Sequence, residues 1–72
     1  MIMATDVKTR IVSDPGILSG MPVVEGTRVP AENVLIEVRR RLPRAEIFNT
    51  YPSLPLDGIE ACLAWERAGK PL

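Results

Sequence analysis

From Pro30 onward the apolar residues recur at helical spacing. Ala31, Val34, Leu35, Val38 and Leu42 follow i, i+3, i+4, i+7 and i+11, and Glu32, Glu37, Arg39, Arg40 and Arg41 fall largely off that face. This predicts a helix over 30–42 with Pro30 as its first residue, an acid in its first turn and arginines in its last, as the macrodipole favours. Pro43 disfavours helical geometry at Leu42 and should stop it there. Ala45, Ile47, Phe48 and Tyr51 then predict a short helix over 44–50, ended by Pro52. A third helix is expected over 55–68, opened by Pro55, with Asp57 near its positive end and Leu56, Ile59, Cys62 and Leu63 as its buried stripe. Gly69 and Pro71 end it. Ahead of residue 26 the pattern is that of strands. Thr9–Val12 and Ile17-Leu18 flank the turn Asp14-Pro15-Gly16 and read as a hairpin or two edge strands. Pro22–Glu25 is a third extended run, and Gly26-Thr27-Arg28 turns the chain into the first helix. The fold class expected is mainly α: three helices behind a short β element.

Length changes the picture more than composition does. A chain of 72 residues supports one thin core, because small chains bury only about 60% of the surface they expose when unfolded. We expect a flexible N-terminus over 1–8 and a single domain over 9–72. The 46% of hydrophobic residues marks a globular chain, yet Phe48, Tyr51 and Trp65 are its only aromatic residues. So few strands do not make a stable sheet alone, which predicts a homodimer assembled partly through residues 9–25. With one cysteine and no histidine, a disulfide within the chain and an ordinary zinc site are both excluded, and no cofactor is expected. Cys62, on an apolar stripe, should be an inert buried thiol. The first residues lack a secretory pattern, and no apolar run nears the roughly 20 residues that span a bilayer. A soluble cytoplasmic protein is expected.

The net charge is zero, but it sorts by segment: Arg28, Arg39, Arg40, Arg41 and Arg44 make the middle basic, and Glu46, Asp57, Glu60 and Glu66 make the C-terminal third mildly acidic. Catalysis has no visible residue set, since there is no phosphate-cradling glycine loop and no general base of neutral pKa. The later two helices, joined by the tight Tyr51-Pro52-Ser53-Leu54 connection, have the spacing of a helix-turn-helix whose second member would enter a major groove. That member leaves Asp57, Glu60, Ala64 and Arg67 outside its stripe, and carboxylates repel phosphate unless, as Glu60 could, they accept from cytosine N4. The candidate DNA- or partner-binding residues are therefore Arg28, Arg39, Arg40, Arg44, Glu60 and Arg67. The arginine run could track a phosphate backbone, hold an acidic patch on a protein, or simply be a solvated helix end. Arg28 sits on a turn that could present it, although an anchoring salt bridge within the fold is the simpler role. Trp65 could fill the core or a groove in a neighbouring chain.

Taken in order, Ile11, Asp14-Pro15, Gly20-Met21-Pro22, Gly26-Thr27-Arg28, Tyr51-Pro52-Ser53-Leu54, Ile59 and Ala61 resemble the domain of unknown function 433 family, over roughly residues 9–66. The resemblance implies a homeodomain-like three-helix fold, often dimeric. It also implies an antitoxin of a bacterial type II toxin–antitoxin pair that neutralises a PIN-like nuclease toxin and binds operator DNA as a dimer. The alternative is a protein interaction module without DNA binding. Where many members have Gly after the first helix, then Ser, and Thr after the Leu, this chain has Arg41, Pro43 and Pro55. Either the first helix ends differently here or the domain is less stable. With the sequence ending at Leu72, a partner is expected to meet the folded surface or the N-terminal strands.

Overall fold

The computed structural model describes residues 7–71. Two strands, β1 (Ile11–Val12) and β2 (Val23–Val24), and three helices, α1 (Ala31–Arg39), α2 (Arg44–Thr50) and α3 (Gly58–Arg67), follow one another along the chain. The architecture is that of a small, mainly helical protein with a two-stranded antiparallel hairpin. The flexible segment expected over 1–8 lies outside the described residues except for Val7 and Lys8, and the Lys8 N–H is bonded to Asp57.

The strand pairing differs from the expected one. β1 pairs with β2 in the register Ile11↔Val24 and Val12↔Val23, so its partner is the third extended run rather than Ile17-Leu18. The reason is local: Leu18, Ser19 and Gly20 take φ of 50°, 57° and 88°, and three left-handed residues in a row cannot form a strand. They make a single 3₁₀ turn instead, closed by Gly20 N–H to Ile17 O and Met21 N–H to Leu18 O. On its other side β2 meets Pro30 through an isolated bridge. Between them Gly26 (φ 80°) allows the turn, and the Thr27 hydroxyl both donates to Val24 O and accepts from Val29 N–H.

α1 buries Ala31, Val34 and Leu35, with Val38 and Leu42 packed at the edge of the core, as the periodicity predicted. Pro30 is the N-cap in extended geometry rather than the first helical residue. The helix ends earlier than Leu42 because Arg41 turns left-handed (φ 61°), with Arg41 N–H bonded to Val38 O and Leu42 N–H to Glu37 O. That is a Schellman ending, with arginine where glycine is the usual occupant. α2 covers the expected residues, burying Ile47 and leaving Ala45 exposed.

α3 starts three residues late. Pro55 accepts from Gly58 N–H in a preceding turn and does not open the helix, so Leu56 stands 85% exposed instead of joining the stripe. The connection from α2 thus runs from Tyr51 to Asp57 rather than to Leu54. Gly58 is required at the start of α3 by close approach: a Cβ there would lie 2.5 Å from Leu54 Cδ1. α3 is the central element, packing on α1 and touching both strands, with Gly58, Ile59, Ala61, Cys62 and Trp65 buried. Trp65 belongs to this core, and its Nε1–H donates to Pro71 O at 2.8 Å.

Candidate protein-binding surface

The basic middle and the acidic C-terminal third fold onto each other. Arg39 of α1 is bonded to Glu66 of α3. Arg44, at the start of α2, reaches both Glu60 carboxylate oxygens, at 2.6 and 3.1 Å, donates to Leu56 O at 2.8 Å, and lies 5.3 Å from the Phe48 ring centroid. This pairing holds the Glu60 carboxyl below its ordinary range and raises the Arg44 guanidinium. Arg40 stands 3.5 Å from Glu37 Oε1 on its own helix, without a hydrogen bond to it. Elsewhere Lys70 pairs with Glu32 and Arg10 with Glu25. Of the candidates named from sequence, the fold brings Arg44 and Glu60 together and disperses the rest.

Arg28 and Arg67 are exposed, and among the described residues neither has a carboxylate within 4.0 Å. The anchoring salt bridge expected for Arg28 is thus missing among those residues. Arg67 is exposed in the last turn of α3, whereas Glu60 is half-buried against Arg44. Arg28 instead lines an open groove of about 530 Å³, together with Val12, Ile17, Val23, Gly26, Thr27 and Ser53. The family model described as protein of unknown function (DUF433) matches residues 11–65, about three quarters of the chain.

The chain belongs to the DUF433 family. The match runs from β1 into the last turn of α3, so it takes in the groove and every sequence-named candidate except Arg67. Neither a curated protein nor a solved structure matches this DUF433 chain.

Two parts of the surface escaped the sequence reading. The groove's apolar floor joins β1, β2 and the loop before the 3₁₀ turn, and only the observed strand pairing brings those three together. Asp57 stands at the positive end of α3 as the sequence predicts, but its carboxylate makes no cap. It accepts from the Thr9 hydroxyl at 2.5 Å and from the Thr9 and Lys8 N–H groups at 3.0 and 2.9 Å, latching the segment before β1 to α3. The Thr9 hydroxyl first, and then the two N–H groups, hold the Asp57 carboxyl below its usual range. Cys62 is fully buried, and burial pushes its thiol up to about 12, which leaves no thiolate at neutral pH. No group of metal-ligating residues occurs among the described residues, and no described helix is long and apolar enough to cross a membrane.

Proposed function

We propose that the protein works by binding another protein, as the antitoxin-like member of a bacterial type II toxin–antitoxin pair that occludes a PIN-like nuclease in the cytoplasm. The observation that carries the protein-binding part is the disposition of charge and apolar surface. Arg39, Arg40 and Arg44, the residues that could have tracked a phosphate backbone, face glutamates of the same chain, whereas Leu18, Met21, Ile36 and Leu56 are 42%, 46%, 48% and 85% exposed. Exposed apolar side chains together with few unpaired cations suit a protein surface better than a nucleic-acid backbone. The toxin partner comes from the resemblance to family members regarded as antitoxins. Occlusion needs no catalytic groups, and the acidic metal site of a PIN-like nuclease would attract Arg28 and Arg67.

Operator binding by a homeodomain-like α2–α3 unit is the second reading, favoured by the exposed Arg67 in the last turn of α3. Two features weaken it: the long Tyr51–Asp57 connection, and the burial of α3 between α1 and the hairpin. A homodimer through residues 9–25 has one free sheet edge to use among the described residues, that of β1. The adjacent reading frame supplies the test. Expressed alone it should arrest growth, and co-expression of this protein should restore it; a harmless neighbour, or arrest that persists, contradicts the antitoxin reading.

A further inference from the structure

The groove between the hairpin and the α2–α3 connection combines an apolar floor with a polar, cationic rim. Its floor is apolar, offered by the half-buried Val12 and Ile17 over the fully buried Val23 beneath them. Its rim carries Ser53, Thr27 and Arg28. At about 530 Å³ it has room for a few side chains and lies within the usual size of a ligand site. The turn that presents Arg28 is held in place, since both hydrogen-bonding functions of the Thr27 hydroxyl are occupied by neighbouring backbone. A fixed backbone lowers the ordering entropy of binding.

The charge at this groove is also distinctive. Arg10, Arg39, Arg40, Arg44 and Lys70 each have a carboxylate of their own. Arg28, like Lys8, Arg41 and Arg67, has none among the described residues, but of these four it is the one that lines this groove. One unpaired guanidinium over an apolar floor complements one carboxylate beside one apolar side chain. A phosphate backbone fits less well, because it needs several cations in a row and Arg28 is the single cation lining the groove.

We infer that this groove docks an extended acidic segment of a protein partner, which lays an apolar side chain on Val12 and Ile17 and sets a carboxylate against Arg28. The inference rests on the protein-binding reading and names its surface. Nuclear magnetic resonance on the isotope-labelled protein tests it with the capped peptide acetyl-Leu-Asp-Val-Glu-amide and its counterpart carrying Asn and Gln. The acidic peptide should give saturable shifts at Ile17, Gly26, Thr27, Arg28 and Ser53, and bind about threefold tighter than the amide form, the scale of one half-exposed ion pair. Arg28→Gln should make the two peptides equal while the resonances of Leu35 and Trp65 stay in place, and Ile17→Asn should weaken both alike. Four results overturn the inference: shifts confined to another face, an acid preference that survives Arg28→Gln, concentration-dependent shifts at the groove without peptide (a second copy as occupant), or stronger shifts there with a short DNA duplex. A complex with the neighbouring gene product that survives Arg28→Glu overturns the groove alone and leaves the protein-binding reading standing.

Discussion

Arg41 holds the left-handed position that ends α1, where the Schellman ending favours glycine. An L side chain held there costs about 1–2 kcal/mol, partly offset because glycine frees the unfolded chain. Arg41→Gly should therefore stabilise the protein by about 0.5–1 kcal/mol in urea unfolding. The sequence alone showed that a glycine was absent; whether the helix kept the same ending depended on the backbone. Gly58 makes the opposite case. Its Cβ position lies 2.5 and 2.7 Å from Leu54 Cδ1 and Cγ, so Gly58→Ala must displace a buried leucine and should destabilise by about 1–3 kcal/mol, read in the same unfolding experiment. Nothing in the local pattern marks Gly58, because the clash reaches across a turn that the helical periodicity had absorbed into α3.

Asp57 gives a pH dependence at the same scale. Its carboxyl is held below the value of 3.8 that it has when unperturbed. The stabilisation is therefore full above about pH 4 and is lost as pH falls through the lowered folded value. Asp57→Ala should be less stable than the parent at pH 7, and the gap between the two should close towards pH 2 in thermal melts. A gap independent of pH would mean that the latch to Thr9 and Lys8 is not what the carboxylate contributes.

Among the elements, the three helices were legible because their apolar residues repeat at 3.6-residue spacing and prolines stand at their borders. The errors fall where proline and left-handed residues compete with that pattern. Pro55 looked like a helix start but sits in the turn before it, and Ile17-Leu18 looked like a strand but enters a left-handed turn. α2 and α3 are bridged by contacts that no periodicity encodes, among them the two-pronged Arg44–Glu60 pair with its added bond to Leu56 O. A double-mutant cycle with Arg44→Met and Glu60→Gln should give a coupling of about 0.5–1 kcal/mol that shrinks with salt. A coupling near zero would mean that packing of Ile47 and Leu54 holds the two helices together without the pair.

For the whole molecule, the sequence showed charge sorted by segment but not that the segments neutralise each other. Arg39 with Glu66 and Arg44 with Glu60 are 27 and 16 residues apart, and only the tertiary fold joins them. The same separation hid the groove, whose floor needs β1 beside β2. Folding thus pairs Arg39, Arg40 and Arg44 of the apparent basic stripe and leaves Arg28 beside an apolar groove. On the protein-binding reading proposed above, the expected affinity for nucleic acid is weak and nonspecific. Any retardation of upstream DNA should be lost by physiological salt, and Arg67→Ala should lower the salt slope by about one unit if α3 makes a phosphate contact.

The central claim is that the protein acts through a protein partner. Light scattering on the co-expressed product of the adjacent gene, purified through this chain at physiological salt, tests it most directly. The account predicts one particle containing both chains in fixed stoichiometry, with no retained nucleic acid. A particle of this chain alone, or one that carries operator DNA in place of a protein, would contradict it.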